Sequence, residues 1–228
     1  MTGSNDQLAV LFDMDGVLID SYAAHFESWQ VVAKDRGTVY TEEDFVAGFG
    51  RTSREIIREQ WDGAENWTDE EVAELDQAKE VAFRDIIATN FPAMPGGRQL
   101  VFDLYERGFR IAVASSGPSE NVHLVIDRLG ISDCLSAVVT GNDVTKGKPD
   151  PQVFQLAASK VNVPNARCCV IEDAPAGVAA AVAAGSACIG LARPVRYTVD
   201  LSAADLVVPA LEQINASNIT ELIQSKQR

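Results

Sequence analysis

The chain has 228 residues, 46% of them hydrophobic, enough to bury a sizeable core and long enough for one large domain or a core carrying a smaller insert. Its formal net charge of −14 argues against nucleic acid or an anionic membrane surface as a partner. No run of about 18 uninterrupted apolar residues marks a membrane span, and the opening "MTGSNDQ" lacks the basic and apolar regions of a secretory signal, so a cytoplasmic location is expected.

Taken in chain order, short apolar runs recur: "LAVLF" (8–12), "RIAVAS" (110–115), "AVVT" (137–140), "CCVIED" (168–173), "ACIGL" (187–191) and "DLVV" (205–208). Helix-like segments separate them, and that rhythm predicts a parallel sheet with helical crossovers. Pro118, Asp150-Pro151 and Pro175 mark helix starts that follow strands, each proline fitting a first turn. Residues 17–94 break the rhythm with helical patterning and no convincing strand. "AAHFESWQVVAKDRG" sets Phe26, Trp29 and Val32 or Ala33 on one face and ends at Gly37, and a long acidic amphipathic helix opens at Thr68 or Asp69. Pro92, Pro95, Gly96 and Gly97 stop any continuation. The expected fold class is therefore α/β: a Rossmann-like parallel-sheet core, residues 1–16 and 95–228, with an inserted all-helical cap domain, residues 17–94. Cys134, Cys168, Cys169 and Cys188 have no metal-ligand spacing and are expected to be buried free thiols.

The first run ends in two aspartates, Asp13 and Asp15, one residue apart. Like charges at the end of a buried strand are costly unless a metal ion or a phosphate-handling site compensates them. Ligands bind outside the carboxyl ends of strands in open parallel sheets, so Asp13, Ser115 and the Glu172-Asp173 pair are candidates for one crevice. Each also has an ordinary reading: strand-end aspartates and serines cap helices, Lys148 can be a solvated loop cation, and Glu172-Asp173 a solvent-facing pair.

"DMDGVLIDS" resembles the first signature of the haloacid dehalogenase-like superfamily in its phosphatase form. "VASSG" resembles the second motif with Ser115 as its hydroxyl, "KGKPDPQVF" the third with Lys148, and "VIEDAPAGVAAAVAAG" the fourth with Glu172 and Asp173. Four motifs in the family's order cover the whole core, and the insert matches the helical cap in position and size. The resemblance implies a Mg²⁺-dependent phosphatase of small phosphorylated metabolites. Asp13 is then the nucleophile that forms an aspartyl-phosphate, and Asp15 the general acid and base, its main-chain carbonyl binding the metal. Asp13, Asp15, Glu172 and Asp173 are the implied metal residues; Ser115, Ser116 and Gly117 hold the phosphoryl group, and Lys148 ties it to Asp13.

Within the family, "DGVLIDSYAAHFESW" looks most like beta-phosphoglucomutase and its sugar-phosphatase relatives. His25 matches a histidine that assists the acid-base aspartate, and Arg54 (with Arg51 as its rival) and Lys79 are expected cap contacts to substrate, each weighed against a solvated-face role. Trp29, Phe26 and Trp61 are expected in the cap core, and Arg193 and Arg196 on the surface. "SSGPSEN" carries Pro118 where the mutase loop has a lysine, which favours hydrolysis over a phosphosugar mutase. A non-catalytic binding module is the reading from a different class; it predicts loss of Asp13, Asp15 or the acidic pair, and all are present. The mechanism implies a cap that opens about linkers near Gly16–Asp20 and Phe91–Gly97. A monomer acting on a small phosphorylated metabolite is the expected state.

Overall fold

The computed structural model describes residues 7–48, 51–193 and 199–226. Six strands form one parallel sheet: β1 (Ala9–Phe12), β2 (Arg110–Ala114), β3 (Ala137–Val139), β4 (Cys168–Glu172), β5 (Ala187–Leu191) and β6 (Leu206–Val208). Their spatial order is β3-β2-β1-β4-β5-β6. Every predicted apolar run supplies one strand, and the expected parallel pairing is observed throughout. The strand order turns at β1, which pairs through Ala9 with Arg110 on one side and with Cys168 on the other. In a parallel sheet such a reversal opens a crevice at the strand's carboxyl end, and the residue that follows β1 is Asp13.

The strands are apolar on both faces because helices cover them. Ala9, Leu11, Ala112, Ala114, Cys168, Val170 and Cys188 pack with α7 (Gln152–Lys160) and α8 (Pro175–Ala184) through Val153, Phe154, Ala157, Val178 and Ala181. The alternating set, Val10, Phe12, Ile111, Val113, Cys169, Ile171 and Ile189, points the other way and is equally buried. Helices α5 (Gly97–Glu106) and α9 (Ala216–Lys226) pack on β2 and on β4 and β5. All four cysteines are free and buried, as expected; burial pushes the Cys168 and Cys188 thiols up to about 12.

The proline starts need one adjustment. Pro175 is the first residue of α8, but Pro118 and Pro151 sit just before α6 (Ser119–Leu129) and α7, at φ −65° and −72°. A cap residue needs no helical N–H of its own, so proline's fixed φ suits that place as well.

The chain divides into two compact units, one formed by residues up to Asp20 and from Ala93 onward, the other by Ser21–Pro92. The described part of the second unit holds α1 (Tyr22–Asp35), α2 (Glu42–Ala47), α3 (Ser53–Gln60), a single 3-10 turn and α4 (Asp69–Thr89), with no strand. Helices α2, α3 and α4 each open on a threonine whose hydroxyl accepts from the backbone three residues on, while an acidic side chain at that position reaches back to the threonine amide. Their common core contains Trp29, Val32, Tyr40, Phe45, Ile57, Trp61 and Leu75, with Phe26 packed against it. The expected aromatic core is therefore present, and Trp29 lies 5.5 Å from Tyr40 and 6.1 Å from Trp61 between ring centroids.

All three tryptophans, Trp29, Trp61 and Trp67, lie in the second unit, so their fluorescence reports its unfolding. Leu75 is 1% exposed in that core, and Leu75→Ala is expected to cost about 3 kcal/mol. The check is urea unfolding followed by tryptophan emission; an unchanged midpoint would contradict this packing.

Candidate active site

Three strand ends and one loop supply the site. Asp13 follows β1, and its amide donates to the Ile171 carbonyl of β4 at 3.0 Å, so the sheet hydrogen bonding continues one residue past the strand. Ser115 follows β2, is 1% exposed, and its amide donates to the Val139 carbonyl of β3. Glu172 ends β4, and Asp173 starts the turn into α8. Lys148 stands between β3 and α7, at a cis peptide bond to Pro149. Parallel register brings these ends to one edge of the sheet.

Lys148 Nζ donates to Asp13 Oδ1 and to Glu172 Oε1, both at 2.6 Å, and lies 5.1 Å from the centre of the Phe154 ring. The other Glu172 oxygen, Oε2, accepts from the Asp173 and Ala174 amides at 2.8 Å each, at the amino end of α8. Asp13, Glu172 and Asp173 each offer an oxygen, all within 4.8 Å of one another. The Asp173 carboxylate occupies the place that a side chain on Gly16 would fill: a Cβ there would lie 1.7 Å from Asp173 Oδ2, at a φ of +74° that favours glycine. Gly177 clears the same kind of space for Glu172, its Cβ position lying 1.6 Å from Oε1.

The second motif loop is also locally ordered. The Gly117 amide donates to Ser115 Oγ at 2.9 Å, and the Gly141 amide donates to the Gly117 carbonyl at 2.8 Å. A Cβ on Gly117 would meet Ser115 Oγ at 3.2 Å and Asp15 Oδ2 at 3.9 Å, so the Asp15 carboxylate sits beside this loop.

These charges shift one another. Burial pushes the Asp13 carboxyl up to about 7; Lys148 opposes the rise, while Glu172 and Asp15 add to it. Burial raises Asp173 well above the usual carboxylate range, with Glu172 and Asp13 adding and Lys148 opposing. For Lys148 burial works against the ammonium, but Asp13 and Glu172 outweigh it and hold its pKa above the ordinary lysine value. One ammonium among four carboxylates leaves excess negative charge, and a hard divalent cation with oxygen ligands is the chemistry that this donor set fits.

The predicted core residues Asp13, Asp15, Ser115, Ser116, Gly117, Glu172 and Asp173 thus fall at or just past neighbouring strand ends of one unit, and Lys148 in the loop between β3 and α7 of the same unit. In the second unit Lys79 is 3% exposed, which corrects its solvated-face reading. Its Nζ lies 2.8 Å from His25 Nδ1 and 2.9 Å from Glu80 Oε1, and 5.6 Å and 5.4 Å from the ring centres of Trp29 and Phe83. His25 stacks on Phe83 with centroids 4.0 Å apart. If Lys79 donates in this contact, Nδ1 is its acceptor. Arg54 is exposed and donates to Asp76, one turn before Lys79 on α4; Arg51 pairs with Glu59.

Sequence reasoning missed Glu80, which flanks Lys79 in the chain, and the clearing role of Gly16 and Gly177. It also placed Arg193 on the surface. Arg193 instead donates to Asp20 Oδ1 at 2.8 Å with its side chain 17% exposed. Arg196 lies outside the described residues.

A strand-end nucleophile candidate, a lysine-bridged acidic cluster and a hydroxyl loop on a parallel sheet define a phosphoryl-type hydrolase core. The family comparison agrees: residues 8–185 match the haloacid dehalogenase-like hydrolase model, and the chain belongs to that family. It is 33% identical over 182 residues to validoxylamine A 7'-phosphate phosphatase of Streptomyces hygroscopicus subsp. limoneus, covering 79% of this chain and 84% of that protein. It is 34% identical over 189 residues to beta-phosphoglucomutase of Bacillus subtilis, covering 80% and 82%. The crystal structure of beta-phosphoglucomutase from Clostridium difficile superposes with a TM-score of 0.83 at 26% identity, covering 96% of this chain and 98% of that one. The chain therefore sits in the beta-phosphoglucomutase-like branch. Among the described residues no helix is long and apolar enough to cross a membrane.

The raised Asp13 pKa has a signed consequence for stability. Between the ordinary value of 3.8 and about 7 the folded chain keeps a proton that the unfolded chain releases. That contribution is full below about 4 and is lost as the pH rises through 7. In a metal chelator, the thermal midpoint of Asp13→Asn relative to wild type is expected to climb from pH 4 to pH 8, by on the order of 5 °C. A difference that stays flat with pH would refute the assignment.

Proposed function

We propose that this protein is a Mg²⁺-dependent phosphatase of small phosphorylated sugars that works through an aspartyl-phosphate on Asp13. The observation that carries the reading is Lys148, held 2.6 Å from both Asp13 and Glu172: it keeps an anionic nucleophile usable against an anionic ester. The phosphatase among the relatives supports hydrolysis. So does the stretch Ser115–Asn121, "SSGPSEN", which has no cation to grip a second phosphate.

In this mechanism an Asp13 carboxylate oxygen attacks phosphorus as the bond to the leaving alcohol breaks, and Asp15 gives that alcohol its proton. Water then attacks the aspartyl-phosphate, Asp15 takes the proton back, and inorganic phosphate leaves with Asp13 regenerated. Ser115 and the amides of Ser116 and Gly117 hold the transferring group, and Lys148 neutralises the oxygens shared with Asp13. Asp13, Asp173, Glu172 and the Asp15 main-chain carbonyl would hold the cation. Mg²⁺ bound there supplies positive charge to the phosphoryl oxygens.

His25, Arg54 and Lys79 are assigned to recognition of the rest of the substrate, and the contact between half-buried His25 and buried Lys79 makes these two the stronger members of that group. The four buried thiols suit a cytoplasmic, reducing setting. The mutase reading is favoured by the Bacillus subtilis relative and differs in product.

Wild type with Mg²⁺ is expected to release inorganic phosphate from a panel of sugar phosphates, and Asp13→Asn to lose on the order of 10³-fold or more of that rate. With beta-glucose 1-phosphate, glucose 6-phosphate appearing with little free phosphate would establish the mutase instead.

A further inference from the structure

The chain leaves the first unit at Asp20 and returns at Ala93, and the two connections run side by side. Ile19 and Ala93 form an antiparallel bridge, and the Met94 amide donates to the Leu18 carbonyl at 3.0 Å. A third segment meets them there. Arg193, two residues past the end of β5, donates from Nη2 to Asp20 Oδ1 at 2.8 Å and from Nη1 to Met94 Sδ at 3.5 Å. The Arg193 side chain is 17% exposed and Met94 5%, so both are largely withdrawn from water. The Arg193 hydrogen bond holds the Asp20 carboxyl below its usual range against the opposing effect of burial.

The choice of arginine fits the place. A guanidinium is planar, with separate N–H edges that can satisfy two acceptors from two chain segments at once, whereas a lysine offers one nitrogen on a flexible stem. Asp20 and Met94 belong to opposite connections, and Leu191, the last residue of β5, is fully packed in the sheet at 1% exposure. The two Arg193 contacts therefore tie both connections to the segment that leaves β5.

We propose that Arg193 is a positioning residue: it pins the two connections to the end of β5 and so sets how freely Ser21–Pro92 turns about them. Its consequence for catalysis rests on the phosphatase reading, because water must be excluded during transfer to Asp13 and admitted for hydrolysis.

The test compares wild type, Arg193→Met, Arg193→Lys, Asp20→Asn and the Arg193→Met/Asp20→Asn double variant by amide hydrogen exchange. Phosphate release from 4-nitrophenyl phosphate with Mg²⁺ is measured alongside. In Arg193→Met, exchange at residues 17–20 and 92–96 is expected to rise by roughly fivefold or more while β1 and β4 stay protected. The double variant should add nothing to the single one, and Arg193→Lys, keeping only the Asp20 contact, should fall between it and wild type. kcat/KM should drop by about threefold or more with the thermal midpoint within about 2 °C of wild type. Unchanged exchange at the connections would overturn the proposal, as would an equal rise in β1 and β4, which marks a general loss of stability. If wild type releases no phosphate, the phosphatase reading fails, and the exchange pattern still decides whether Arg193 pins the connections.

Discussion

The first unit is organised around the cost of holding four carboxylates at one edge of a parallel sheet. Asp13, Asp15, Glu172 and Asp173 repel one another in a partly dry crevice, and Lys148 is the cation that bridges two of them. The neighbouring features follow from that constraint. Gly16 and Gly177 lack the Cβ that would collide with Asp173 and Glu172, and the amides that open α8 take the second oxygen of Glu172. Burial lifts the Asp13 and Asp173 carboxyls, the neighbouring carboxylates add to the rise and Lys148 opposes it, so a divalent cation fits the cluster.

The second unit handles a buried charge of the opposite sign in a different way. Lys79 lies between aromatic rings, with Glu80 as its counter-ion and His25 in contact. That contact and the stacking of the ring on Phe83 orient His25 through residues that lie more than fifty positions away.

On the proposed reading, hydrolysis and mutase chemistry would draw on the same first-unit groups, and the distinction would rest on what grips the far end of a substrate. A mutase must retain a bisphosphorylated intermediate while it reorients, and that demands a second cationic grip. Pro118 serves as the residue before α6, in a stretch, Ser115–Asn121, that carries no lysine or arginine. The local role of Pro118 is thus structural, and the loop around it carries hydroxyls and backbone amides but no cation.

Much of this was legible in the chain itself. The six apolar runs became six strands because a sheet covered on both faces needs continuous apolar segments, a local and one-dimensional signal. Asp13, Ser115 and the Glu172-Asp173 pair were legible for a related reason: each follows or ends a strand, so parallel register carries them to the same edge, whereas Lys148, in the loop between β3 and α7, was legible only through the resemblance of its motif. The long helix was legible from its acidic amphipathic pattern opening at Thr68 or Asp69, and in the structure the Thr68–Glu71 capping box sets that start. What only the tertiary structure decided were pairings between distant positions. Lys148 reaching Glu172 as well as Asp13, Lys79 sinking against His25, and Arg193 turning from the surface to Asp20 and Met94 all join segments whose separation along the chain carries no period. A charged side chain reads as exposed in sequence because burial is costly; only the folded chain supplies the partner that makes burial tolerable.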